Sequence, residues 1–142
     1  MDDNCRNIDQ SLLQAYLDTV YKVENPPISL RIGQPNAELK ALLQRYGVQH
    51  WAFITAWNPK SQMLTSKENE RRQQKLVKLL EKAGYTYFRG YGVGADASWA
   101  PEESVLILDI PRAAALALGR HGQQHAIVVG DDTHYTPALL FC

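Results

Sequence analysis

The sequence predicts an α/β protein of α+β character: a single domain over residues 1–142, with a mixed β-sheet covered by about four helices. Three observations carry that prediction. WAFITAW (51–57) is a continuous apolar run rich in β-branched and aromatic residues, the composition of a central strand buried on both faces, and SVLILDI and AIVVGD add further apolar strands. Segments with apolar residues at helical spacing alternate with these runs, which favours a sheet with helices on it. Strands also follow one another directly in the last third of the chain, which implies hairpins and antiparallel edges.

Each element has its own signals. IDQSLLQAYLDTVYKV (8–23) sets Ile8, Leu12, Ala15, Tyr16, Val20 and Val23 at helical spacing, and Pro26-Pro27 ends that first helix. ISLRIG (28–33) reads as a short strand. NAELKALLQRYG (36–47) is a second helix, with Asn36 as its N-cap and Gly47 just past its end. A third helix spans about 66–83 and stops at Gly84, with Thr65 and Glu68 spaced as a capping box. YTYFRGYGVG (85–94) and SVLILDI (104–110) are strands, PRAAALALGRHG (111–122) is a fourth helix opened by proline, and AIVVGD and ALLFC close the chain around the DDTHYTP turn.

Composition narrows the function. The chain has 15 basic and 15 acidic side chains, so it is not built to hold nucleic acid by bulk charge, and any anion recognition must be local. The start MDDNCRNIDQ is polar and acidic, unlike a signal peptide, and no apolar run approaches the ~20 residues that span a bilayer, so a cytoplasmic protein is expected. Cys5 and Cys142 sit far apart without a partner motif and are expected to be a reduced pair.

The third helix holds the best candidate site. On a wheel of about 100° per residue, Leu76, Leu79, Leu80 and Ala83 form one apolar sector, taken as the buried face. Asn69 and Arg72 fall in that sector, whereas Arg71 points the other way with Lys67, Lys75, Lys78 and Lys82, a solvated basic stripe. A guanidinium or amide on a buried face must meet a polar partner. Since the helix begins where the strand 51–57 ends, Asn58, Ser61, Asn69 and Arg72 are expected to converge there on a phosphate or carboxylate. Arg72 pairing internally with Glu102, Glu103 or Asp109 satisfies the same burial argument.

Other signals are weaker. Gly90, Gly92 and Gly94 match neither a dinucleotide fingerprint nor a Walker loop; Gly90 and Gly92 join the ligand-binding candidates as part of a bulged strand end or mobile loop that could lie over the crevice. Glu102 and Glu103 are the weak catalytic candidates, and on an extended chain at most one of them enters a site. His121 and His125 stand four apart, but Gly122 and AIVVG interrupt the helix a metal would need, so no metal is expected and no cofactor is named.

LRIG (30–33), AFITAWNP (52–59), LTSKENERR (64–72), the glycine loop followed by W-x-PEES, and GQQHAIVV (122–129) occur in an order that resembles the bacterial domain of unknown function 3293 family over nearly the whole chain. The resemblance implies a stand-alone cytosolic domain of about this length, with no activity attached. Ala100 and Gln124 stand where the family is expected to carry Pro and Asn, which argues against a direct role for either.

Two functions are open on these residues. In the first, the domain binds an anionic small molecule, nucleotide-like ligands included, at the junction of strand 51–57 and helix 66–83, with the glycine loop opposite. In the second, it is a protein-interaction or regulatory module, with room for a homodimer, and the same polar residues only brace the loop. No reaction is named.

Overall fold

The computed structural model describes residues 10–142. The helices are α1 (Gln10–Leu17), α2 (Ala37–Tyr46), α3 (Ser66–Ala83) and α4 (Arg112–His121). The strands are β1 (Val20–Val23), β2 (Ile28–Leu30), β3 (Trp51–Thr55), β4 (Tyr87–Val93), β5 (Glu102–Leu108), β6 (Ala126–Gly130) and β7 (Pro137–Phe141). They form one sheet in the order β2-β1-β4-β5-β3-β6-β7, and every neighbouring pair is antiparallel. No helix among the described residues is long and apolar enough to cross a membrane.

The α+β class with four helices forms as expected, and the antiparallel pairing expected at the edges runs through the whole sheet. The cause is interleaving. β3-α3-β4 and β5-α4-β6 are crossovers whose strands run parallel, but β5 lies between β3 and β4, and β3 lies between β5 and β6. This is the split β-α-β arrangement of ferredoxin-like domains, in which the parallel strands of a crossover never touch.

Alternate residues of the inner strands enter two cores. Trp51, Phe53, Leu106, Leu108 and Val128 meet the β1-β2 hairpin and Leu39, Leu42 and Leu43 of α2. Ala52, Ile54, Val105, Ile107 and Ile127 meet Leu76 and Leu80 of α3 and Ala115 of α4. With both faces covered, β3 has no polar side, which is why its sequence reads as an unbroken apolar run. The sheet also curls, for Gly33 N after β2 donates to Pro137 O of β7 at 2.8 Å, drawing the two edge strands together.

The first helix is shorter than expected. α1 ends at Leu17, and Val20–Val23 is strand β1, in which Tyr21 and Val23 are buried and Lys22 is exposed. Val20 and Val23 fit helical spacing, but β-branched residues and a period of two at 21–23 suit a strand paired on both sides. Ile8 of that predicted helix, and Cys5 of the predicted reduced pair, lie outside the described residues.

Helix boundaries follow their capping chemistry. Asn36 Oδ1 accepts from Leu39 N at 2.9 Å, and Gly47 closes α2 in the left-handed conformation. Thr65 Oγ1 accepts from Glu68 N at 3.2 Å and donates to Glu68 Oε1 at 3.0 Å, and Gly84 closes α3 in the same way as Gly47 closes α2. Thr65→Ala is expected to lower stability by about 1 kcal/mol in urea unfolding. An unchanged midpoint would mean that the cap does not hold the first turn.

Candidate functional site

β3 ends at a turn that three other elements grip. The segment Ala56–Asn58 leaves the sheet and enters a short 3-10 turn at Pro59–Ser61, where Asn58, Lys60 and Ser61 have φ of 46°, 53° and 58°. For residues with a Cβ the left-handed region is costly, though Asn tolerates it best, so such a turn persists only where its surroundings impose it. Those surroundings are a set of side-chain bonds to main chain. Gln73 Oε1 accepts from Ala56 N at 3.0 Å, Asn69 Oδ1 accepts from Asn58 N at 2.8 Å, and Gln124 Nε2 donates to Trp57 O at 3.0 Å. Lys60 N donates to Gln123 O at 2.8 Å, which ties the turn to the chain after α4.

The predicted residues are found in three different settings. Asn58 and Asn69 are buried and face each other, Asn69 Nδ2 donating to Asn58 Oδ1 at 2.8 Å, while Leu64 N also donates to Asn58 Oδ1. Asn58 Nδ2 donates to Glu102 Oε2 at 2.8 Å, and Trp99 Nε1 donates to the same oxygen at 2.9 Å. Ser61 is exposed on the turn. Gly90 and Gly92 lie inside β4, paired with Val23 and Tyr21 on one side and with Ser104 and Glu102 on the other, and not in a bulged end or mobile loop. A glycine there serves close approach between strands.

Arg72 has none of the three expected internal partners, Glu102, Glu103 or Asp109. Its Nε donates to Ala56 O at 3.0 Å and its Nη2 to Gly122 O at 2.9 Å, so main-chain carbonyls hold it and no carboxylate among the described residues does. Glu102 is engaged with Asn58 and Trp99 instead. The backbone carbonyl of Glu103 accepts from Thr55 Oγ1 at 2.6 Å.

The buried face of α3 is also turned from the predicted sector. Asn69, Gln73, Leu76 and Leu80 are buried, whereas Leu79 is 42% exposed and Ala83 is exposed. Arg72, Lys75 and Leu79 therefore share one flank of α3, the side toward α4. A cleft of about 140 Å³ opens between the two helices. Arg72, Lys75 and His121 bring positive or ionisable groups to it, Leu76, Leu79 and Leu118 line it with apolar surface, and no acidic side chain lines it. Of the predicted ligand residues only Arg72 reaches this cleft, and neither Glu102 nor Glu103 does.

Sequence reasoning missed Gln73, Gln124, Lys75 and His121 as members of this region. Gln73 follows Asn69 at i+4 and continues its polar row, a signal that was present. Gln124, whose departure from the family pattern argued against a direct role, is buried and braces Trp57. Trp57 Nε1 is a buried donor with no hydrogen-bond partner among the described residues. Burial, and then neighbouring charge that includes Glu102, pushes the phenols of Tyr16 and Tyr21 above the usual tyrosine range, so both stay protonated at neutral pH.

A second cleft, of about 270 Å³, lies at the other end of β3 near His50, Trp51, Arg112, Asp131 and His134. Arg112 Nη2 donates to Gly130 O at 3.0 Å, and hydrogen bonds from Thr133 hold the Asp131 carboxyl below the usual range. Carboxylates in its wall oppose an anion, which sets it apart from the cleft at Arg72.

The model of the family described as protein of unknown function (DUF3293) matches residues 54–127, just over half of the chain. The match runs from the end of β3 to the start of β6, taking in α3, β4, β5 and α4, a narrower span than the motif order implied. No curated protein and no solved structure matches the chain. The gripped turn and the basic cleft both lie inside the matched span, and the chain belongs to the protein family of unknown function DUF3293.

Proposed function

We propose that the protein binds an anionic small molecule, through a phosphate or carboxylate group, in the cleft between α3 and α4. The observation that carries this reading is Arg72: a guanidinium pinned by Ala56 O and Gly122 O, without a carboxylate partner, beside Lys75 and His121. A charged group already held in one rotamer binds an anion without the ordering cost a free arginine would meet. Asn58, Asn69 and Gln73 act one step back, since they fix the segment whose carbonyl holds Arg72. At about 140 Å³ the cleft is smaller than the roughly 300–1,000 Å³ of drug-sized pockets, so it takes an anionic group and leaves the bulk of any nucleotide outside.

Thermal-shift titration with inorganic phosphate, pyrophosphate and simple carboxylates tests the reading. An anion at a hundredfold excess over its dissociation constant is expected to stabilise the wild type by about 2.7 kcal/mol. Lys75→Ala removes an exposed side chain that makes no hydrogen bond among the described residues, so it is expected to fold normally and to weaken anion binding about tenfold. Unresponsive wild type, or equal responses from wild type and Lys75→Ala, would leave Arg72 as a brace in a protein-interaction module.

A further inference from the structure

We infer that the ligand of this cleft is a small apolar acid, a carboxylate on a branched aliphatic or aryl body about the size of a benzene ring. The inference rests on the anion reading above and specifies what carries the charge. Three features of the cleft support it.

The first is the donor set left on Arg72. Of its five N–H groups, Nε–H and one on Nη2 are taken by carbonyls, which leaves Nη1 and the second Nη2 hydrogen. These three remaining N–H groups, two on Nη1 and one on Nη2, are enough to donate to both oxygens of a carboxylate.

The second feature is the apolar part of the lining. Leu76, Leu79 and Leu118 line the cleft alongside the cations, and Leu79 is one of the few large hydrophobic side chains that the fold leaves exposed. A sugar phosphate would present hydroxyl groups to these leucines and leave the apolar surface uncovered. An apolar body would remove it from water, which is the favourable direction. Cationic and leucine side chains sharing one lining select an amphipathic acid over a polyanion.

The third is volume. The cleft is about 140 Å³, close to the roughly 150 Å³ of an engineered apolar cavity that holds benzene. A single ring or branched chain fills it.

Titrating the full chain by two-dimensional amide NMR with benzoate, 3-methylbutanoate, acetate, inorganic phosphate and ribose 5-phosphate tests the inference. Benzoate or 3-methylbutanoate is expected to bind at least tenfold more tightly than acetate, with shifts at Arg72, Leu79 and Gly122. Leu79→Ser should bring benzoate and 3-methylbutanoate down to the affinity of acetate, Leu79→Met should keep the preference, and Lys75→Ala should weaken all carboxylates alike. Phosphate or acetate binding as tightly as benzoate, or a preference untouched by Leu79→Ser, would overturn the apolar acid and leave the anion site standing. Silence of every ligand would remove both. A peptide ending in leucine that binds a hundredfold more tightly than either acid would overturn the small-molecule assignment in favour of a protein tail.

Discussion

Asn69→Leu is expected to destabilise the protein by about 3 kcal/mol, although leucine has the same branched side-chain shape as asparagine and the site lies near the start of a well-capped helix. Asn69 is 2% exposed and bonds to Asn58 through both ends of its amide. Leucine would leave Asn58 N–H buried without an acceptor, at about 1–3 kcal/mol for one orphaned group. The remaining bonds of the cluster would lose their mutual support. The left-handed turn at Asn58, Lys60 and Ser61 would then lack what imposes it. Arg71→Ala, two positions along on the exposed side, is expected to stay within about 0.5 kcal/mol of wild type. Urea unfolding followed by tryptophan fluorescence compares the two, and equal midpoints would show that the amide pair does not fix the loop. The variant should also bind anions more weakly while still folded, because Ala56 O, which anchors Arg72, belongs to the loosened segment.

What the sequence revealed follows the range of each interaction. The caps at Asn36, Gly47, Thr65 and Gly84 were legible because a cap is made by residues three or four apart. β1 was not, since Val20 and Val23 satisfy a helical spacing and only pairing with β2 and β4 decides against it. Interleaving of the two crossovers is likewise a long-range choice that no local pattern encodes. At the site, the amide of Asn69 on a buried face announced a polar contact, and its partner Asn58 was among the candidates. The partners of Arg72 were illegible for a different reason: they are backbone carbonyls, and every residue has one. Lys75 read as solvent charge because a wheel drawn on α3 alone contains no α4, and the cleft exists only between the two helices.

Gly90→Ala is expected to cost about 3 kcal/mol or to prevent folding, whereas Gly92→Ala should be nearly neutral. The two glycines look equivalent in the sequence RGYG (89–92), which offers both as ligand contacts. A Cβ on Gly90 would lie 2.2 Å from Lys22 O and 3.1 Å from Phe53 Cε2. The first of these is backbone of β1, which cannot rotate away, so the strand itself would have to leave β4 and break the pairing of Val23 with Gly90. A Cβ on Gly92 would meet only Thr19 Cγ2, at 3.9 Å, an ordinary contact. Neither glycine has a positive φ, so the difference between them is space and not conformation. Thermal unfolding of both variants, with anion titration of whichever folds, separates the two roles. A glycine that admits a strand shows its loss in stability, whereas one that admits a ligand shows it in the affinity of a protein that is still fully folded. Gly90→Ala at wild-type stability but with weakened anion binding would return the glycine to the ligand and contradict the packing of β1 on β4.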